Sequence, residues 1–368
     1  MSAIRVLIVD DSLTIRALLF ELLGSDREVE VIGQADNGLT AITLCEQLRP
    51  DVITMDMVMP TMGGLRATEY IMAHCPTPIL VVSSSVNRGE LLDTYQALAA
   101  GALDVMEKPS GDELNETWRT EFLSRVKLIS RIRVISHLRA RRDLIQPNDG
   151  LHSQVLPSEL QSPLPSVQHQ LGQYQIVAIG ASTGGPSAIA QLLQGLPSSL
   201  KLPIVIVLHI SATFGSAFAQ WLDDQTDRKV CLASDNQLIH GMEGKVIVAP
   251  PNAHLEVRDG LFHLTDGPER NSCRPSIDIL FESLALEYGA GVIACILTGM
   301  GRDGAAGLAT IRRLGGLTIA QDEETSVVYG MPREALELGG VDLVLPLGEI
   351  GPRLSAIAGS DGLDKFNG

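Results

Sequence analysis

Two successive α/β domains, each built on a doubly wound and mainly parallel sheet, are the fold this chain predicts. Short, uninterrupted apolar runs of strand length alternate with amphipathic helical stretches, the pattern of strands buried on both faces. That alternation occurs twice, on either side of a segment from Gln146 to Gln173 that has no Lys or Arg, four prolines and many Gln and Ser residues, the composition of a linker. The length of 368 residues suits two domains, and 45% hydrophobic residues suffice for two cores.

In the first half the expected strands are Val6 to Val9, Val29 to Gly33, Val52 to Met55, Ile79 to Val82 and Val105 to Met106, with helices between them. A basic amphipathic stretch from Arg131 to Arg142 leads into the linker. The second half begins near Tyr174, with strands expected at Ile176 to Ile179, Ile204 to Leu208, Lys245 to Ala249, Gly291 to Leu297, Leu317 to Ala320 and Leu343 to Leu345. Arg258-Asp259-Gly260 between Leu255 to Val257 and Leu261 to Leu264 reads as a hairpin turn. The boundaries that follow are 1–128 for the first domain, 129–173 for the basic stretch and linker, and 174–360 for the second domain.

Composition narrows the function classes. A formal charge of -16 argues against nonspecific nucleic-acid binding, and no apolar stretch is long enough to span a bilayer, which predicts no direct membrane insertion. Five scattered cysteines without a Cys-x-x-Cys pair, and a start that runs straight into a strand, predict a reduced, cytoplasmic protein.

Chemistry-bearing residues of the first half fall at strand ends. Asp10 and Asp11 follow strand one, Asp56 follows strand three, Ser83 follows strand four, and Lys108-Pro109 follows strand five. A parallel sheet gathers these at its carboxyl edge, where such folds bind ligands. Three crowded carboxylates call for a hard cation, and Mg²⁺ takes carboxylate, water and phosphate oxygens together. Asp56 can then attack a phosphoryl group, with Lys108 offsetting charge and Ser83 bonding the phosphate.

The blocks Val9-Asp10-Asp11-Ser12, Thr54 to Gly64 and Glu107-Lys108-Pro109 resemble a response-regulator receiver domain, a flavodoxin-like fold. The resemblance implies phosphorylation of Asp56 by a chemotaxis-type histidine kinase, Mg²⁺ on Asp10, Asp11, Asp56 and the Val58 carbonyl, and Ser83 and Lys108 as switch residues, with Tyr95 or a neighbour as the responding aromatic.

In the second half, Gly180-Ala181-Ser182-Thr183-Gly184-Gly185 follows an apolar strand, so Ser182 is presented on a tight strand-to-helix turn. The same turn could cradle a phosphate. His209 ends the next strand, and Asp303 lies in the glycine-rich loop after the strand that closes at Leu297, so a parallel sheet would bring a nucleophile, a base and an orienter to one edge. Each taken singly could be a helix cap or a turn residue. The chain order Ser, His, Asp differs from the Ser, acid, His order of α/β-hydrolases, which excludes that fold. Backbone N–H groups near Thr183 and Met300 are the available oxyanion donors.

The blocks Ile179 to Pro186, Cys273 to Phe281, Leu297 to Gly304 and Ala320 to Pro332 resemble the catalytic domain of the chemotaxis protein-glutamate methylesterase family. That resemblance implies Ser182, His209 and Asp303 as a catalytic triad, Thr183 near the histidine, Met300 at the oxyanion site, and no cofactor for ester hydrolysis. Its substrates would be methyl esters, and glutamines, on cytoplasmic helices of methylated chemoreceptors. An unphosphorylated receiver would pack over the catalytic face. The residues flanking His209, Leu208, Ile210 and Ser211, depart from the Gln, Met and Pro common in the family.

Other conspicuous residues have plainer readings. His240, His254 and His263 lack metal-site spacing and read as surface or loop-packing residues; Cys231, Cys273 and Cys295 read as packing residues without a histidine partner. Arg274 is open to two readings, a loop residue or an exposed grip on an acidic receptor surface. A transcription factor would need a basic recognition helix, and a dinucleotide enzyme a Gly-x-Gly-x-x-Gly turn; neither is present.

Overall fold

The computed structural model describes residues 3–84, 88–109, 116–132, 134 and 174–358. The expected linker and most of the basic stretch from Arg131 to Arg142 lie outside the described residues.

The first unit runs β1 (Ile4–Val9), α1 (Leu13–Gly24), β2 (Val29–Ala35), α2 (Gly38–Leu48), β3 (Val52–Met55), α3 (Gly64–His74), β4 (Ile79–Ser83), α4 (Arg88–Ala99), β5 (Asp104–Glu107) and α5 (Glu116–Ile129). Its sheet has the order β2-β1-β3-β4-β5, every pairing parallel. Val6, Leu7, Ile8 and Val9 are all buried, which is why β1 reads as a continuous apolar run rather than an alternation. Helix starts follow local chemistry: Ser12 accepts from the Ile15 N–H to cap α1, and Asn37 accepts from Thr40 N–H to cap α2.

The second unit continues with β6 (Ile176–Ala181), α6 (Gly185–Gln194), β7 (Ile204–Leu208), α7 (Ala212–Gln225), β8 (Val230–Leu232), β9 (Gln237–Leu238), β10 (Val246–Val248), β11 (His254–Arg258), β12 (Leu261–Thr265), α8 (Ile277–Tyr288), β13 (Val292–Ile296), α9 (Ala305–Arg313), β14 (Leu317–Gln321), α10 (Met331–Glu337), β15 (Leu343–Leu345) and α11 (Leu347–Ala358). Seven parallel strands form the order β15-β14-β13-β6-β7-β10-β8. The expected hairpin is β11–β12, antiparallel, with β9 added as a third strand. β8 and β9 have no counterpart in the sequence reading, since runs of three and two residues are too short to carry a period.

β6 lies between β13 and β7, so the loops that carry Ser182, His209 and Asp303 leave three adjacent strands at the same edge. The two units are packed together. α4 lies against α6 and α7, and one apolar cluster runs from Tyr95, Ala97 and Leu98 into Phe214, Phe218 and Trp221. Tyr95 stacks on Trp221 with ring centroids 5.2 Å apart, an arrangement worth about 0.5–1.5 kcal/mol beyond area burial.

Candidate active site

Ser182 follows β6 and precedes α6. Gly184 takes φ 77°, and a Cβ there would lie 2.6 Å from Val327 Cβ, so only glycine permits the turn that lifts the serine off the strand. The Ser182 N–H donates to the Thr298 carbonyl at 3.0 Å, tying the nucleophile turn to the loop after β13. Among the described residues the N–H groups of Thr183 and Met300 find no protein acceptor. Met300 is half exposed at that loop.

His209 begins the loop after β7, its N–H bonded to the Ala181 carbonyl at 3.0 Å. Its Nε2 lies 2.9 Å from Asp303 Oδ2. A carboxylate can only accept, so Nε2 carries the proton and Nδ1 is left as the acceptor nitrogen. Ser182 and His209 line one cavity of about 190 Å³.

Asp303 is buried and more heavily bonded than a simple orienter requires. Oδ1 accepts from Ser276 Oγ at 2.7 Å and Asn271 Nδ2 at 3.0 Å, and Oδ2 accepts from the Ile277 N–H at 2.6 Å. The carboxylate therefore sits on the amino end of α8, not on that of α9, which follows it in the chain. Burial pushes its pKa up, but the hydrogen bond and charge of His209, with the bonds from Asn271 and Ser276, outweigh that and hold it at about 2.

One sequence reading needs correction. Cys273 does have a histidine partner: its Sγ is 3.7 Å from His209 Nδ1. Burial raises the thiol to about 12, with Asp303, Glu269 and Asp278 adding to the effect, so it stands protonated. Arg274 is a loop brace, its Nη1 donating to the carbonyls of Asp266 and Gly267 at 3.2 and 3.0 Å. His254 is buried, with Nδ1 accepting from the Ser276 N–H at 3.1 Å and Nε2 donating to the Pro268 carbonyl at 3.0 Å. The Thr183 hydroxyl donates to Asp104 of the first unit at 3.3 Å. Ser276, which caps α8 by accepting from the Ile279 N–H, was legible as a helix start; its bond to Asp303 was not, because 27 residues separate them.

The remaining predicted residues gather at the carboxyl edge of the first sheet. Asp10, Asp11 and Asp56 each offer a carboxylate oxygen, all within 4.8 Å of one another. Lys108 Nζ lies 2.8 Å from Asp10 and 2.9 Å from Asp56. Burial, opposed by the Lys108 charge, raises Asp56 to about 6. An all-oxygen set of this kind fits Mg²⁺. Val58 is exposed beside it, and Ser83 is buried with its hydroxyl 3.4 Å from Glu90.

The first unit also closes over the second. Asp104, Glu107, Trp118 and Arg125 share the cavity with Ser182 and His209. Glu107 accepts from Thr213 Oγ1 at 3.0 Å, Ser187 Oγ donates to the Leu98 carbonyl at 2.7 Å, and Tyr95 donates to the Phe214 carbonyl at 2.7 Å.

Comparison with known proteins agrees with this architecture. Residues 177–354 match the family model described as CheB methylesterase, and residues 6–118 match that described as response regulator receiver domain. The chain is 40% identical over 361 residues to a protein named protein-glutamate methylesterase/protein-glutamine glutaminase 1 from Syntrophus aciditrophicus, covering 97% of this chain and 99% of the relative. It is 38% identical over 367 residues to a protein of the same name, without the number, from Nitrosospira multiformis, covering 99% of each. The Thermotoga maritima CheB methylesterase catalytic domain, a solved structure, is 37% identical with a TM-score of 0.47 over 49% of this chain and 97% of that one. With relatives this similar along nearly its whole length, the chain belongs to the CheB methylesterase family, as a member with an amino-terminal receiver domain.

Proposed function

We propose that this protein is a phosphorylation-controlled serine hydrolase that removes methyl esters from glutamate side chains of chemoreceptors, releasing methanol, and that deamidates receptor glutamines. The observation that carries the reading is the His209–Asp303 pair, 2.9 Å apart, at the cavity that Ser182 lines.

Ser182 Oγ attacks the side-chain carbonyl while His209 Nδ1 takes its proton. Asp303, held ionised, keeps the other ring nitrogen protonated and stabilises the imidazolium. The tetrahedral oxyanion is received by the N–H groups of Thr183 and Met300, each such donor typically worth about a hundredfold or more in rate. The imidazolium gives its proton to the leaving oxygen, which departs as methanol, or to the leaving nitrogen of a glutamine, which departs as ammonia. Water then attacks the acyl-enzyme, giving a proton to His209, which passes it to Ser182 Oγ as the acyl–oxygen bond breaks and a glutamate is left. No metal or cofactor is asked for in this sequence.

Control runs through β5. Lys108 holds Asp56, and its chain neighbour Glu107 holds Thr213 at the start of α7. Mg²⁺, held by Asp10, Asp11, Asp56 and the Val58 carbonyl, would supply the charge neutralisation that lets Asp56 accept a phosphoryl group from a chemotaxis-type histidine kinase. A phosphoryl group on Asp56 competes for Lys108 and Ser83, loosens β5 and α4 from α6 and α7, and admits a receptor helix. The test is methanol release from methylated receptor membranes, with and without a small phosphodonor. Ser182→Ala should fold and lose release under both conditions; unchanged release would overturn the reading.

A further inference from the structure

We propose that the catalytic face also carries an inhibitory site for a thiophilic divalent cation, zinc above all, held by Cys273 Sγ and His209 Nδ1. The site stands on its own geometry, whereas its inhibitory effect rests on His209 acting as the base.

The two donor atoms lie 3.7 Å apart. Two ligands sharing a tetrahedral zinc, with Zn–S near 2.3 Å and Zn–N near 2.0–2.1 Å, stand about 3.6 Å from each other. The spacing already matches. The lone pair is also aimed: Asp303 fixes the proton on Nε2, so Nδ1 faces the thiol as a free acceptor, and a carboxylate behind a metal-binding imidazole is the usual means of orienting one. Cys273 is held in place by paired backbone bonds with Arg270 at 3.0 and 3.2 Å, across a turn in which Asn271 and Ser272 take positive φ. Water can fill the remaining positions around a cation held by these two donors.

Binding replaces the thiol proton: the sulfur–hydrogen bond breaks, the sulfur keeps the electron pair and donates it to the cation, and the proton goes to solvent. No oxidant or reductant is required. Donor softness sorts the two candidate cation sites among the described residues, since thiolate with imidazole selects zinc and the all-carboxylate cluster at Asp10, Asp11 and Asp56 selects Mg²⁺. A cation on Nδ1 removes the lone pair needed to deprotonate Ser182.

The test titrates the full chain with Co²⁺ in excess Mg²⁺, so that the carboxylate cluster is filled. A near-ultraviolet thiolate-to-cobalt band should appear at one equivalent, bleach on adding Zn²⁺, and vanish in Cys273→Ala and Cys273→Ser, whose circular dichroism checks folding. Zn²⁺ should inhibit methanol release reversibly by chelator, and each variant, compared with its own metal-free rate, should need at least about tenfold more zinc. No band in the wild type, a band that survives both substitutions, or equal zinc sensitivity would overturn the proposal. A band that behaves as expected with no zinc effect on rate would leave the cation site standing and count against His209 as the base.

Discussion

The Tyr95 hydroxyl donates to the Phe214 backbone carbonyl at 2.7 Å, joining α4 of the receiver to α7 of the catalytic unit through a fully buried bond. No solvent can replace it without opening the interface. Removing the hydroxyl deletes a buried hydrogen bond across the interface, at a cost of about 0.5–1.5 kcal/mol. Tyr95→Phe should therefore raise methanol release by unphosphorylated protein several-fold, and Tyr95→Ala, which also removes the stack on Trp221, should raise it more. Rates that stay at the wild-type level would show that this contact does not hold the closed arrangement.

Asp303 should matter to both rate and fold. Asp303→Asn keeps the shape but can offer His209 an amide N–H, favouring the wrong tautomer, and a loss of roughly 10³–10⁴ in methanol release is expected. Substrate binding should change little, so the loss should fall on kcat.

The same carboxylate gives a signed pH dependence. Its pKa is depressed in the folded state, from 3.8 to about 2, so its stabilising contribution is complete above about pH 4 and is lost as pH falls toward 2. The contribution is on the order of 2 kcal/mol. Urea denaturation should show wild type more stable than Asp303→Asn at pH 6, with the gap closing between pH 4 and pH 2. A gap independent of pH over that range would contradict the assignment.

Asp56→Asn should abolish stimulation by a phosphodonor while leaving basal methanol release in place, because Asp56 follows β3 of the first unit and takes no part in the ester chemistry. Chelating Mg²⁺ should mimic it. Loss of basal release from the folded variant would count against separate sites.

Gly299 tests the packing behind the nucleophile. A Cβ there would meet Met331 Sδ and stand 2.7 Å from Ser182 Cβ. Gly299→Ala should displace Ser182, lowering release at least about tenfold, through a shift on the order of 1 Å in the attacking atom. Far-ultraviolet circular dichroism should remain that of a folded protein.

The order of strands and helices, and the residues at the strand ends, were readable from the chain, because a parallel strand buried on both faces leaves an unbroken apolar run and its loop starts where that run stops. Ser182, Asp10 and Asp56 were visible for that reason. Cys273 was misread and Arg274 was left open from the same letters: nothing local reveals that the arginine spends its guanidinium on the Asp266 and Gly267 carbonyls, or that the thiol meets His209 from 64 residues away. Ser276 showed its capping role and hid its grip on Asp303. What the sequence determined by itself was periodicity and turn chemistry, which act over a few residues. What only the tertiary structure decided was which distant groups share a proton, a carboxylate or an interface, since those contacts depend on how loops and helices are brought together in space and not on any spacing along the chain.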